Sequence, residues 1–348
     1  MRIALDAMGG DYGPVVTVAG AVEAARAFGV EVRLVGRPEA IEPELAKHDT
    51  AGLKLAVVPA SEEIAMDEHP ARAVREKRDS SIVVGVDLVK RGEADAFVSA
   101  GNTGGVLVAS LLGFRRIEGI TSERPALATV YPTLRGHCVV LDVGANVDCK
   151  PEWLAQFALM GSIYAERIVG IPNPTVATLS NGEEETKGNE LVLAAIPLIK
   201  RLPVRYVGNV EGKDVPFGKA DVVVGDGFVV NVFIKTSEGV AAVLVELLRA
   251  ELTRTPVRKL LALGLRPAFR ALRRRMDYAE FGGAPLLGVN GVAVVAHGRS
   301  NALAIKNAIR VAREAVERDL VGQIRAGVER ARFGPPAGRP EGPAAPAG

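Results

Sequence analysis

The chain has 348 residues, 48% of them apolar and 24% charged, with a formal net charge of +2. That length carries a large core, as one big domain or two lobes, and so small a net charge argues against a nucleic-acid binder. The two cysteines, Cys138 and Cys149, form no CxxC pair, which argues against a disulfide scaffold or zinc site and fits a reduced cytosolic compartment.

The first apolar run, RIAL, starts at residue 2 with no leader ahead of it, and no apolar run reaches the roughly 18–20 residues that span a bilayer. The expectation is a soluble protein, or one that lies on a membrane surface. Behind this run come Asp6, Met8, Gly9, Gly10, Asp11 and Pro14. The glycines allow a tight turn and close approach of a ligand, and Pro14 suits the first turn of a helix.

Further apolar runs follow: VEVRLVG, LKLAVV, DAFVSA, ALATVY, HCVVLDVG, TVATLS, VRYVGNV, DVVVGD and GVAVVAHG. Amphipathic stretches lie between them, among them Ala71–Arg91, Glu152–Val169, Glu190–Arg201 and Asn301–Arg332. Strands apolar on both faces and alternating with helices predict an α/β protein with a mostly parallel sheet covered on both sides. A single α/β unit is expected over residues 1–332. The Pro/Gly/Ala tail, 333–348, reads as disordered.

Seven Gly-rich polar clusters each follow a strand: LDAMGGD, VSAGNTGG, LDVGAN, LSNGEEETKG, GNVEGKD, VVGDGFVVN and VAHGRSN. Ligands of an open parallel sheet bind outside the carboxyl ends of its strands, so the seven predict one composite cleft. In the second cluster, Asn102, Thr103, Gly104 and Gly105 open a helix whose N–H groups suit a phosphate; the alternative is a plain cap with a Gly hinge. In the fourth, Glu183, Glu184 and Glu185 are expected near a helix start, and Lys187 reaches a phosphate or oxyanion unless the segment is a solvated charge run. Asp226, Gly227 and Asn231 sit at another strand end, as substrate contacts or as a helix cap. His297 ends the last strand, as a donor or as a packed structural histidine. No GxGxxG, Walker loop, HExxH, EF-hand or GxSxG occurs, so no cofactor and no metal is expected.

The clusters LDAMGGD, SAGNTG, LDVGAN, NGEEExKG, GNVEGxD, DGF…N…K and YxxFGGAPLLGVNG…HG together resemble the bacterial phosphate acyltransferase family of phospholipid synthesis, in order from residue 3 to about residue 305. The resemblance implies a Rossmann-like three-layer α/β/α sandwich, akin to phosphotransacetylases and isopropylmalate dehydrogenases, that forms homodimers. It implies transfer of a long acyl chain from acyl carrier protein to inorganic phosphate. Lys187 and Asn231 occupy the positions important for activity, with His297 as a further candidate. Asn102, Thr103, Gly104, Gly105, Asp226 and Gly227 are assigned to phosphate or substrate. Asp6, Gly9, Gly10, Asp11, Glu183 and Asn146 are assigned to support behind them, because a charged carboxylate repels phosphate. The family commonly has Gly where this chain has Val230, and a positive φ there would strain a valine.

From Arg249 to Arg275 nine Lys/Arg stand against Glu251 alone, a local balance of 9 − 1 = +8. Helical spacing of Leu261, Leu265, Phe269, Leu272 and Met276, broken by Gly264 and Pro267, predicts a protruding basic helical hairpin over 249–276. Leu260, Leu261, Leu263, Leu265, Arg258, Lys259 and Arg266 are its expected contacts with an anionic membrane or with acyl carrier protein, a dimer contact being the alternative. The resemblance favours peripheral association with the inner face of the cell membrane and delivery of acyl phosphate to a membrane glycerol-3-phosphate acyltransferase. Two other readings remain: a short-chain phosphotransacetylase using a coenzyme A thioester, and a non-catalytic membrane scaffold.

Overall fold

The computed structural model describes residues 1–276 and 278–331. The expected tail, 333–348, lies outside the described residues, as do the side chains of Arg273, Arg274, Arg275 and Met276. Among the described residues, twelve strands form two sheets. The strands are β1 (Arg2–Asp6), β2 (Glu31–Gly36), β3 (Leu55–Pro59), β4 (Ala96–Ser99), β5 (Ala126–Leu127), β6 (Thr129–Thr133), β7 (Gly136–Leu141), β8 (Thr175–Ser180), β9 (Arg205–Glu211), β10 (Val222–Val224), β11 (Ala284–Leu287) and β12 (Ala293–Val295).

The seven-stranded sheet runs β3-β2-β1-β4-β12-β11-β5, and the five-stranded sheet β6-β7-β10-β8-β9. Strands β3, β2, β1, β4 and β12 are parallel, and so are β7, β10, β8 and β9; β11 and β6 run against their neighbours. The parallel-rich α/β architecture is therefore as expected, but divided between two sheets. The run ALATVY is where they part: β5 belongs to one sheet and β6 to the other, with only Ala128 between. Strand β11 was absent from the predicted runs, because its Pro285 and the preceding Gly282 and Gly283 read as a turn.

One apolar core joins the two sheets. It includes Ile3 and Leu5 of β1, Leu141 of β7 and Val224 of β10, packed around the helix Pro151–Tyr164. Every residue of that helix from Trp153 to Gly161 is buried, the mark of a helix covered on all sides. Two predicted helical stretches divide. Ala71–Arg91 becomes helices Pro70–Glu76 and Ser81–Lys90, and Asn301–Arg332 becomes Ala302–Glu317 and Leu320–Ala331, the second break falling at Asp319 with its positive φ of 47°.

The hairpin begins earlier than its charge pattern suggested. A helix of 27 residues, Gly227–Thr253, leaves the five-stranded sheet, and helices Pro256–Gly264 and Arg266–Met276 follow it. Pro267 falls in the first turn of the last helix, where its missing N–H costs nothing. Over residues 240–272 the arm is solvent-exposed on nearly every side, with Leu260 at 68% and Leu261 at 69% exposure. Contrary to the sequence reading, the 27-residue helix is long and apolar enough to cross a bilayer, with mean hydropathy 1.7 over an 18-residue window. Length and composition are the whole of that match, since Lys235 and Glu238 lie within it and its first turns are bonded into the globular body.

Candidate active site

Parallel strands end on the same edge of a sheet, so topology alone gathers the polar clusters into two rows. On the seven-stranded sheet, the loops after β1, β4 and β12 meet: the Asp11 N–H donates to the Gly298 carbonyl at 2.8 Å, and the Ser99 hydroxyl donates to the Asp6 carboxylate at 2.7 Å. Asp6 is 1% exposed and also accepts from the N–H groups of Met8 and Gly9 at 3.1 and 3.0 Å. Burial pushes its carboxyl up, against the lowering effect of these donors and of Ser81. These bonds tie the β1 loop to β4. A cavity of about 170 Å³ opens beside it, lined by Asp6, Met8, Gly9, Glu63, Met66 and Ser81. Gly10 lines the same cavity, and exposed Asp11 stands next to Gly298.

Asn102 caps the helix Thr103–Phe114 by accepting from the Gly105 N–H at 2.9 Å. Its amide donates to the carbonyls of Ala65, Met66 and Glu68 at 2.9, 3.3 and 3.2 Å. The Asn102 side chain is thus spent on the cap and on tethering the 65–68 segment, and Gly105 on the cap. What remains for an anion are the first-turn N–H groups of Thr103 and Gly104, which have no intrahelical carbonyl to reach. Thr103 is exposed, and Gly104 lies against Pro70.

On the five-stranded sheet, Asp226 caps the 27-residue helix by accepting from Phe228 and Val229 N–H at 3.0 and 2.9 Å. This is the cap alternative, and its carboxylate offers an anion no donor. The Gly227 N–H donates to the Asn146 carbonyl at 2.7 Å. Asn146 in turn donates from its backbone N–H to buried Asp142 at 2.6 Å and from its amide at 2.9 Å. Val230 is helical and fully buried, without a positive φ, so the valine carries no backbone strain. Asn231 follows it and donates to the Val143 carbonyl at 2.8 Å. An amide nitrogen has two protons, so one remains for another acceptor.

Lys187 lies in the loop between β8 and the helix Glu190–Ile199. The predicted helix start at Glu183–Glu185 is corrected here: the helix begins at Glu190, and Asn189 caps it through the Val192 N–H at 3.0 Å. The three glutamates stand outside it; Glu183 pairs with Lys219 and Glu185 with Lys200, each at 2.7 Å. Lys187 is exposed and, among the described residues, makes no ion pair.

The two rows are bridged by the 27-residue helix. Lys235 Nζ lies 3.4 Å from His297 Nε2, and Glu238 pairs with both Lys235 at 3.2 Å and Arg299 at 3.6 Å. Desolvation, then Lys235 and Arg299, pull His297 below the usual histidine range. Lys187 shares a sheet edge with Asn231, but among the described residues no hydrogen bond or ion pair joins it to Asn231, His297 or Asn102. Lys235 and Asp142 were not singled out from the sequence, although the motif DGF…N…K and the cluster LDVGAN contain them; the i, i+4 spacing of Asn231 and Lys235 was the available signal. Neither cysteine offers a thiolate nucleophile, because burial pushes Cys149 up to about 12 and raises Cys138 further.

Residues 1–323 match the family model described as "Fatty acid synthesis protein". A phosphate acyltransferase of Desulfitobacterium hafniense is 55% identical over 326 residues, 93% of this chain and 97% of the relative. One from Heliobacterium modesticaldum is 56% identical over 326 residues, 93% of this chain and 96% of the relative. The chain belongs to the phosphate acyltransferase family. It is an acyltransferase, as its family is, which leaves no place for the non-catalytic scaffold. Among solved structures, the EutD phosphotransacetylase of Staphylococcus aureus superposes with a TM-score of 0.58 at 16% identity, covering 91% of this chain and 94% of that one. A phosphotransacetylase of Streptococcus pyogenes gives 0.58 at 19% identity, with the same 91% and 94% coverage. These two likenesses carry the fold, which is the phosphotransacetylase-like α/β fold expected from the sequence.

Proposed function

We propose that this acyltransferase moves a long-chain fatty acyl group from the thioester of acyl carrier protein to inorganic phosphate, releasing acyl phosphate and free carrier protein. The observation that carries the reading is the cleft edge itself: an exposed lysine that makes no ion pair among the described residues and a neutral amide with one donor left, which follow the adjacent parallel strands β8 and β10, with no thiolate nucleophile beside them. A thioester is activated already, so hydrogen phosphate attacks its carbonyl directly. The P–O–C bond forms as the C–S bond breaks, and the proton of hydrogen phosphate ends on the carrier thiol. Lys187 neutralises the phosphate and the developing oxyanion, Asn231 donates its second amide proton, and the Thr103 and Gly104 N–H groups receive phosphate oxygens. His297, held neutral, is the candidate relay for the proton.

The basic arm supports the carrier-protein reading over a short coenzyme A thioester, because an acidic carrier complements a +8 segment. Its exposed leucines support peripheral contact with an anionic membrane on the cytoplasmic side, with acyl phosphate passed to a membrane glycerol-3-phosphate acyltransferase, and a homodimer follows from the family resemblance. The test is phosphate-dependent release of free thiol from palmitoyl-acyl carrier protein, run beside acetyl-coenzyme A. Lys187→Ala is expected to lower turnover by roughly 10²–10³. Undiminished turnover in a folded variant refutes the assignment of Lys187, and a preference for acetyl-coenzyme A refutes the substrate.

A further inference from the structure

The loop that carries Lys187 closes one turn of its own, the Lys187 N–H donating to the Glu184 carbonyl at 2.9 Å, and among the described residues its hydrogen bonds to the sheet come from a side chain of the neighbouring strand. The Asn209 amide on β9 donates to the carbonyl of Glu184 at 2.9 Å and to the carbonyl of Lys187 at 3.1 Å. Its oxygen accepts from the Thr178 hydroxyl of β8 at 2.6 Å, and Thr178 lies 2.8 Å from the Tyr206 hydroxyl. Asn209 is 5% exposed and Thr178 is fully buried.

The direction of every bond in this chain is fixed by proton count. Two backbone carbonyls only accept, so the amide nitrogen faces them and spends both protons there. The amide oxygen then requires a donor, which is the one proton of Thr178. Tyr206 must therefore donate to Thr178. An aspartate at 209 would present an acceptor to two acceptors.

Strand geometry makes the arrangement possible. Residues 206 and 209 of a regular strand point to opposite faces. Here the pairing shifts between Val176↔Tyr206 and Thr178↔Asn209, so β9 carries an extra residue, and Gly208 takes up the bulge with φ 98°. Both side chains thereby reach the one hydroxyl.

We propose that Asn209, oriented by Thr178, is a positioning residue that sets the height of Lys187 over the cleft. The inference rests on the catalytic reading of Lys187 given above. The experiment is a double-mutant cycle of Lys187→Ala and Asn209→Asp, with palmitoyl-acyl carrier protein and inorganic phosphate as substrates. Asn209→Asp is nearly isosteric and is expected to lower kcat/KM by about 10- to 100-fold, and hydrogen exchange at residues 183–189 accelerates. In the Lys187→Ala background the same change costs less than about threefold, because the group it positions is gone. Thr178→Ser keeps the orienting proton and retains at least half the activity; Thr178→Val removes it and falls with Asn209→Asp. This pair also decides the matter if Asn209→Asp does not fold. Equal losses in both backgrounds, or full activity in Thr178→Val, overturn the positioning role while leaving Lys187 in place. Full turnover in Lys187→Ala overturns the catalytic reading first, and this one with it.

Discussion

Gly227→Ala should disable the site through backbone packing. A methyl group at residue 227 would sit 2.6 Å from the Asn146 carbonyl oxygen, 3.0 Å from its carbon and 3.1 Å from Gly144 Cα. All three neighbours are backbone, so no side chain can swing aside. Restoring contact to roughly 3.4 Å moves the helix start by about 0.8 Å, the cost class of an overpacked core, about 1–3 kcal/mol. The same movement strains the Asp226 cap bonds at 3.0 and 2.9 Å, and a lost cap costs about 0.5–2 kcal/mol. Asn231 rides on the first turns, and its 2.8 Å bond to Val143 would stretch out of range. The expected result is a Tm lowered by roughly 2–7 °C, at about 1.4 °C per kcal/mol from an unfolding entropy of about 2.1 cal/mol/K per residue over a chain of this length, and kcat reduced about 10- to 100-fold. Thermal unfolding followed by circular dichroism and the thiol-release assay measure the two. A variant with Tm within about 1 °C and kcat within about twofold of the parent would show that the helix start is not packed as described.

Asp6 gives a pH prediction with a definite sign. Its folded pKa is raised above the ordinary 3.8 by burial, so just above that pH the folded state holds more protons than the unfolded one, and stability falls as pH rises through the window. Asp6→Asn removes this dependence; denaturant midpoints across pH 4–7 with the same slope in both proteins would contradict it. Leu261→Glu with Leu265→Glu places charge on two exposed positions of the arm, 69% and 49% accessible, and should abolish co-sedimentation with anionic vesicles. Unchanged binding would remove the arm from the membrane proposal.

The strands on either side of the cleft were legible because local chemistry dictates them. Apolar runs such as TVATLS have to be buried on both faces, and a polar Gly cluster after each marks a carboxyl end wherever the strand is placed. Two caps were legible for the same reason: Asn102 and Asp226 each precede a helix and satisfy its first N–H groups within three residues, and Asn189 and Asn301, not read as caps from the sequence, do the same. What failed was local too. Pro285 and two glycines concealed β11, and Glu183–Glu185 imitated a helix start because acids favour one without requiring one.

By itself the sequence determined which residues would stand at strand ends, which family motifs they form, and that a basic, leucine-rich arm would protrude. Only the tertiary structure decided that ALATVY splits between two sheets at Ala128, since a single apolar run does not record which neighbours it pairs with. It also decided that Asn102 is spent as a tether, that Lys235 meets His297 across the cleft, and that a bulge at Gly208 turns Asn209 under the Lys187 loop. Each of these depends on a partner distant in the chain, and hydrogen-bond capacity is divided among neighbours that only the folded chain brings within reach.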